Sequence, residues 1–317
     1  MKEAKFIAKN KQRWSEIERK GPEYTDELAS DFIELSDDLS YARTFYPGSP
    51  TEKYLNQLMA RFQTRIYHYR SERKKGLLAF WKEDFPLLLF KERKTMLFVL
   101  LFFIVSVIVG WFSAGHEVSF VRFILGDVYV NRTLDNIAAG TPMGIYNSGE
   151  EWEMFWEITL NNIRVSFIAF VFGVFFSVGA LWILFSNGVM LGAFQYFFYA
   201  QGLFLHSASS IWAHGTFEIT SIVIAGGAGV IIGNSFLFPG TYTRIQSFKK
   251  GALKGIQIVV GLIPFFILAG GIESFITRYA DSYPAVGFGC VSLSFIGVLG
   301  YFGLYPFLVN KRKHGKN

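Results

Sequence analysis

Two side chains that could do chemistry lie four residues apart in a long uncharged stretch. His214 and Glu218 are separated by one helical turn, so they share a face if the segment is a helix. A histidine and a glutamate at this spacing can ligate one metal ion, as in zinc-binding helices. The run Val165–Phe217, directly before Glu218, contains no Lys, Arg, Asp or Glu. A carboxylate within such apolar sequence is costly in a bilayer, so Glu218 is a functional candidate by default.

The uncharged run indicates membrane spans, since about 20 apolar residues cross the hydrocarbon core as a helix. Backbone groups in lipid must be paired internally, which favours helices throughout. Asn187-Gly188 is a typical turn dipeptide, and it predicts that the run divides there into a helical hairpin. The predicted fold is therefore all-α, a polytopic membrane helix bundle of about six spans. The predicted spans are residues 95–114, 164–185, 189–205, 211–237, 254–274 and 286–309.

The distribution of charge predicts how these spans are oriented. More than half of the 31 Lys and Arg residues precede residue 95, and smaller basic groups lie in loop 239–255 and in the C-terminal tail. These three regions fall on one side of the membrane only if the number of spans is even. By the positive-inside rule that side is the cytoplasm, and the opposite side is net acidic. Both termini are therefore predicted to be cytoplasmic.

The remaining segments predict a modular organisation. Amphipathic helices at 22–45 and 51–74 are expected to pair as an N-terminal hairpin. Basic residues beside an aromatic stretch then predict a segment at the membrane interface. The predicted regions, in chain order, are a cytoplasmic helical region (1–75), an interfacial segment (76–94), the first span (95–114), a partly helical external segment (115–162), a five-span membrane core (163–310) and a basic cytoplasmic tail (311–317).

Small residues recur in several predicted spans at spacings that let two helices approach closely. Packing within one chain accounts for this pattern, and a homo-oligomer formed through one such face stays open. The glycines assigned to helix packing are Gly188, Gly192, Gly215, Gly229 and Gly233.

Several polar residues are predicted to form a network or a site, most of them in the outer half of the membrane. Four interpretations are open: a hydrogen-bonded network that fixes the bundle, a gating or ion-linked site, a binding notch open to the exterior, and metal binding or hydrolysis. The two-histidine metalloprotease pattern and the serine nucleophile elbow are absent, so no catalytic residue, resident metal or cofactor is assigned. The residues of this set are His214, Glu218, Glu273, Asn161, Asn162, Arg164, His206 and Arg278.

Several short motifs carry a family resemblance. Asn161-Asn162-Ile163-Arg164-Val165, Asn187-Gly188-Val189-Met190-Leu191-Gly192 and His214-Gly215-Thr216-Phe217-Glu218 resemble the stage II sporulation protein M family, with its His-Gly-x-x-Glu signature. Ala269-Gly270-Gly271-Ile272-Glu273 is similar to a further motif of that family. The resemblance implies a multi-pass protein of the cytoplasmic (inner) membrane of a bacterium or archaeon. The namesake acts in sporulation with a cell-wall hydrolase and another membrane protein, in the manner of a membrane scaffold.

The leading functional prediction is a non-enzymatic integral membrane scaffold that assembles envelope-associated partners. A transporter or channel with a buried His/Glu site is one alternative, and a metal-dependent membrane enzyme is the other. The expected partners are the lipid bilayer and proteins of the envelope or cytoplasm. No nucleic acid is expected, because membrane orientation accounts for the basic segments.

Overall fold

The computed structural model describes residues 2–19, 26–72, 77–142, 150–277 and 284–314. Every regular element in these residues is helical, which confirms the predicted all-α class. The chain divides into two compact units, Met1–Gly76 and Leu77–Asn317.

Three helices form the first unit, namely α1 (Glu3–Arg19), α2 (Asp26–Phe45) and α3 (Pro50–Glu72). The helices predicted at 22–45 and 51–74 correspond to α2 and α3. The prediction did not include α1, because most of its residues are charged or polar and its apolar residues are widely spaced.

An apolar stripe and a shared carboxylate hold α1 against α2 and α3. Phe6, Trp14 and Ile17 are buried in one core with apolar residues of both partner helices. The Trp14 indole N–H donates to Asp38 Oδ2 at 2.8 Å, and the Arg13 guanidinium pairs with the same carboxylate. Asp38 therefore joins α2 to two side chains of α1.

The side chains of α2 supply a test of this core. Leu35 is fully buried, whereas Ile33 is 60% exposed. We expect Leu35→Ala to destabilise the unit by about 2–5 kcal/mol, because it leaves a cavity. Ile33→Ala should stay within about 0.5 kcal/mol. Amide hydrogen exchange of the full-length protein measures both variants, and equal protection in α1–α3 would contradict the assigned faces of α2.

In the second unit, five segments among the described residues are long and apolar enough to cross a membrane. The protein is thus a multi-pass membrane protein by composition and helix length. Four segments contain α6 (Arg93–His116), α10 (Val178–Ala200), α11 (Phe204–Leu237) and α12 (Arg244–Ile272), the last continuing as a π-helical turn (Glu273–Thr277). The fifth contains α13 (Pro284–Val298), a π-helical turn (Leu299–Leu304) and α14 (Tyr305–His314).

A further helix, α9 (Glu151–Phe172), is more polar than these segments but runs beside them. Thr159 lies against Gly270 and Phe170 lies against Gly255, so α9 is antiparallel to α12. Counting α9, the described residues contain six helical segments that run along the bundle, and an even number returns the chain to the end at which it enters.

Ion pairs at that end join segments that are distant in sequence. Lys254 Nζ lies 2.6 Å from Glu92 Oε1, and Lys313 Nζ lies 3.5 Å from Glu83 Oε2. These contacts place the start of α6, the start of α12 and the end of α14 at one end of the bundle.

The segment before α6 comprises α4 (Leu77–Ala79), a π-helical turn (Phe80–Asp84) and α5 (Phe85–Lys91). Its aromatic side chains pack into the bundle. Phe85 is fully buried against Gly261 of α12, and the Trp81 indole N–H donates to Gly261 O at 3.0 Å. Burial of Phe85 and the hydrogen bond of Trp81 therefore anchor this segment to the bundle. The sequence predicts an interfacial position for the same segment.

At the opposite end, α7 (Val118–Leu125) and α8 (Asp127–Ala138) follow α6 and are joined at Gly126. Gly126 has a φ of 85°, which favours glycine because it has no Cβ. Val121 and Val130 are buried with Phe197 and Phe198 of α10, so the two short helices are packed onto the bundle.

The predicted division of the uncharged run at Asn187-Gly188 is wrong. Both residues lie within α10, where the Asn187 amide donates to Ile183 O at 2.8 Å. Gly188 lies against Ser106 of α6, so its lack of a side chain serves helix packing and not a turn. The predicted spans 164–185 and 189–205 are therefore wrong at their shared boundary.

The chain turns instead between α9 and α10, at residues 173–177. Phe176 and Ser177 have positive φ angles of 53° and 67°, which are uncommon outside glycine. Ser177 Oγ donates to Val230 O of α11 at 3.2 Å. A contact with a third helix thus stabilises a turn that has no typical turn residues at these two positions.

Most of the glycines assigned to packing do lie at close helix contacts. A Cβ on Gly192 would collide with the backbone of Val107 in α6, and one on Gly229 would collide with Ala169 of α9. Gly233 lies equally close to Ser177. Gly215 differs, since a Cβ there would meet only side chains of its own helix at ordinary distances.

We expect Gly192→Ala to lower the unfolding free energy of the bundle by about 1–3 kcal/mol, because the added methyl forces α6 and α10 apart. Gly289→Ala is the matched control, since its Cβ meets nothing within 4 Å. Thermal unfolding of both variants in detergent provides the comparison. Equal melting temperatures would show that α6 and α10 are not in close contact.

Candidate functional site

A groove of about 410 Å³ opens into the second unit, with walls from α6 to α11 and a floor that includes Glu273. Most of its lining is apolar, and its polar residues gather where α9, α11 and the end of α12 meet. The polar residues that line it are Tyr129, Asn161, Asn162, Asn187, His214, Glu218 and Glu273.

His214, Glu218 and Glu273 form the centre of this site, hereafter the polar cluster. One ligand atom from each side chain lies within 4.8 Å of those of the other two. His214 Nε2 is 3.6 Å from Glu273 Oε2. His214 and Glu273 are buried, while Glu218 is half-buried at the floor of the groove. The structure thus brings these three of the predicted site residues together.

Local helix geometry explains how Glu273 reaches His214. The helices α11 and α12 are antiparallel, and α12 changes to a π-helical turn at Glu273. A π-helical turn widens the helix and redirects the side chains that follow it, and such turns are frequent at functional sites. Glu273 and Thr277, one at each end of the turn, both point toward His214.

A hydrogen bond orients the histidine ring. His214 Nδ1 lies 3.2 Å from Thr277 Oγ1, and that hydroxyl donates to Ile272 O at 3.2 Å. On the next helix, Ser294 Oγ donates to Ala213 O at 2.6 Å, so α13 is tied to the backbone of α11 beside the histidine. The ring is thus oriented by the end of α12, and its helix is held by α13.

Polar side chains continue away from the cluster along α9 and α11. Thr159, Asn162 and Ser166 recur at helical spacing on α9, and Ser221 lies three residues beyond Glu218 on α11. In the described part of the chain, each has a buried side-chain atom without a hydrogen-bond partner. Asn162 lies beside Glu218 and interacts with its carboxylate, but its Nδ2 makes no hydrogen bond of normal geometry.

The structure separates the remaining predicted residues from the cluster. Asn161 is exposed and lines the groove, whereas exposed Arg164 lies on a different, apolar surface between α9 and α12. His206 lies two turns before His214 on α11 and is not among the described residues that line the groove. Arg278 lies outside the described residues.

Two participants were not predicted as site residues. Thr277 follows Glu273 by four residues, which is the same spacing that singles out His214 and Glu218. Asn187 lines the groove, although its sequence context predicted a turn. The periodicity could have indicated Thr277, but nothing near Asn187 in sequence indicates that it lies beside α11.

The arrangement has the chemistry of a cation or proton site. Two carboxylates and an imidazole converge in a low-dielectric environment, where an isolated charge is costly unless it is neutralised or paired. Among the described residues that line the groove there is no Lys or Arg. A proton or a bound cation can balance the charge of the two carboxylates.

These features define a chain of two units, a multi-pass membrane bundle with a His/Glu/Glu cluster and a separate helical unit. The chain belongs to the stage II sporulation protein M family, whose sequence model matches residues 99–278. This confirms the predicted family, and the matched region contains the whole polar cluster. Residues 4–68 match a second family, a domain of unknown function (DUF8413). No curated protein and no solved structure matches the chain.

We expect His214→Ala to destabilise the bundle by about 2–5 kcal/mol, because it leaves a cavity at a buried position and removes the hydrogen bond with Thr277. The control is His116→Ala, since His116 is exposed at the end of α6. Thermal unfolding and the steady-state amount in membranes measure the effect. A His214→Ala protein as stable and abundant as His116→Ala would show that the cluster does not support the fold.

Proposed function

We propose that the protein is a non-enzymatic scaffold of the cytoplasmic membrane of a prokaryote, which assembles envelope-associated proteins. The division of the chain into two units carries this proposal. A three-helix unit with its own core is joined to a membrane bundle, and the two regions match different families. An added helical unit of this kind supplies surface for a partner in addition to the bundle.

Exposed apolar side chains on both units support partner binding. In the first unit Ile33 is 60% exposed and Phe45 is 59% exposed. In the second unit Phe123 and Val128, on α7 and α8, are 84% and 83% exposed. Interfaces concentrate their binding energy in a few such side chains. We assign Ile33 and Phe45 to a cytoplasmic partner, and Phe123 and Val128 to an external protein or the lipid surface.

Sorting of charge between the two ends of the bundle supports the orientation. The end that carries Lys254 and Lys313 is basic, while α7, α8 and the start of α9 carry acidic residues such as Asp127, Asp135 and Glu151. Under the positive-inside rule the basic end is cytoplasmic, and both termini are then on that side.

Thiol labelling of intact cells tests this orientation. Asp135 and Lys249 are exposed at opposite ends of the bundle, and Cys290 is the single cysteine. In a Cys290→Ser background, a membrane-impermeant maleimide should label Asp135→Cys, and it should label Lys249→Cys only after the cells are opened. The reverse pattern would overturn the orientation.

Partner capture in mild detergent tests the scaffold role. We expect Ile33→Glu combined with Phe45→Glu to reduce recovery of cytoplasmic partners by about tenfold, the loss that corresponds to about 1.4 kcal/mol. Gln57→Glu, at an exposed position of α3, is the control for added charge. A protein that lacks residues 1–76 should lose the same partners. Identical recovery with and without that unit would refute its role in docking.

A second candidate is a transporter or channel, which the groove of about 410 Å³ with its polar floor supports. A carboxylate inside a membrane bundle is typical of ion and substrate pathways. Reconstituted vesicles that conduct an ion, and lose the flux with Glu218→Gln, would favour this candidate. Vesicles that stay sealed across several ions and pH values would exclude it.

A further inference from the structure

We propose that His214, Glu218 and Glu273 form a binding site for one divalent transition-metal cation of the Zn²⁺ or Mn²⁺ type. The site lies at the floor of the groove, where half-buried Glu218 is reached from outside the bundle. It is independent of the scaffold role, because a structural cation and a docking surface can each exist without the other.

The separations of the donor atoms suit a common metal ion. Two ligands that are each about 2.1 Å from a tetrahedral zinc lie about 3.4 Å apart. His214 Nε2 and Glu273 Oε2 are separated by 3.6 Å, and the Glu218 carboxylate brings the third donor within 4.8 Å of both.

The hydrogen bonds around the ring indicate which nitrogen is available. The Thr277 hydroxyl donates a hydrogen bond to Ile272 O, so its oxygen accepts a hydrogen bond from the His214 Nδ1–H group. In a neutral imidazole the other nitrogen, Nε2, then presents a lone pair. That lone pair is directed at a carboxylate oxygen of Glu273 3.6 Å away. Two electron pairs that face each other require a proton or a cation between them.

This arrangement also matches the usual support of a metal-bound histidine. Such a histidine commonly donates its second N–H to a protein oxygen, which fixes the tautomer and orients the ring. Thr277 has that role here. An imidazole with two carboxylates favours Zn²⁺ or Mn²⁺ over Ca²⁺, which prefers oxygen ligands alone.

Asn162 supplies an independent observation. Its side chain is 4% exposed, lines the same groove and interacts with the Glu218 carboxylate, but its Nδ2 makes no hydrogen bond of normal geometry among the described residues. A flip of the amide exchanges its oxygen and nitrogen. Asn162 can therefore supply an oxygen to the cation or a hydrogen bond to a water bound by it.

Metal retention by the full-length protein in detergent tests the site. The protein is stripped with a chelator, loaded with Zn²⁺ or Mn²⁺, freed of excess ion and analysed by elemental mass spectrometry. We expect about one ion per chain, a higher melting temperature on loading and no retention of Ca²⁺. Glu218→Gln and Glu273→Gln should each abolish retention, while Glu117→Gln, at an exposed position beyond α6, should not.

A milder variant covers the case in which the glutamine variants fail to fold. Thr277→Val removes the support of the imidazole but keeps all three ligands, and it should weaken binding about 10- to 100-fold. Wild-type protein that retains no ion would overturn the proposal, as would unchanged affinity in Thr277→Val. If the Arg278→Gln protein retains an ion and the wild type does not, the proposal is also overturned. The Arg278 side chain, and not a cation, would then balance the charge of the two carboxylates in the wild type.

Retention and partner capture are separate readouts. If the protein captures no partner but retains the metal ion, the scaffold role is refuted and the metal site is supported. If it captures partners but retains no metal ion, the metal site is refuted and the scaffold role is supported.

Discussion

The membrane bundle depends on the burial of two carboxylates in a medium that does not solvate them. Glu218 and Glu273 approach each other on different helices, with His214 against Glu273 and Asn162 beside Glu218. Such a cluster is tolerated only while every helix around it keeps its position, because separation would leave a bare charge in lipid. The cluster thus couples the packing of α9, α11 and α12. A π-helical turn at the end of α12 is the local distortion that brings its last residues to the histidine.

The stability of the membrane bundle also depends on the close approach of its helices. Glycines on α10 and α11 bring those helices against the backbones of α6 and α9. Lipid tails are as apolar as the side chains of a helix, so the hydrophobic effect does not drive helices together within the bilayer. Helix association relies instead on tight packing and on polar contacts between helices. The small residues place α11 in the centre of the bundle, where most of its length is buried. A central helix surrounded by protein is the place where a histidine and a glutamate can be kept from lipid.

The two units divide the tasks of the protein. The bundle contains the region that matches the stage II sporulation protein M family, and His214-Gly215-Thr216-Phe217-Glu218 lies within it. The three-helix unit has its own core, and we propose that its exposed apolar side chains bind another protein. A scaffold with a cation inside its membrane core would combine a rigid anchor with an adaptable docking module.

Composition and periodicity by themselves determined the fold class, the helices α2 and α3, the sorting of charge and the placement of His214 and Glu218 one turn apart on a single helix. These properties follow from local sequence, since hydropathy and spacing decide what a bilayer accepts and which residues share a helical face. The sequence by itself did not determine where α9 ends. Asn187-Gly188 reads locally as a turn, but tertiary packing places it within α10 against α6, while Ser177 turns the chain by contact with α11. Only the tertiary structure decided that Glu273, Thr277 and Asn162 meet His214 and Glu218 while Arg164 does not, because those contacts depend on the rotation of helices that are distant in sequence.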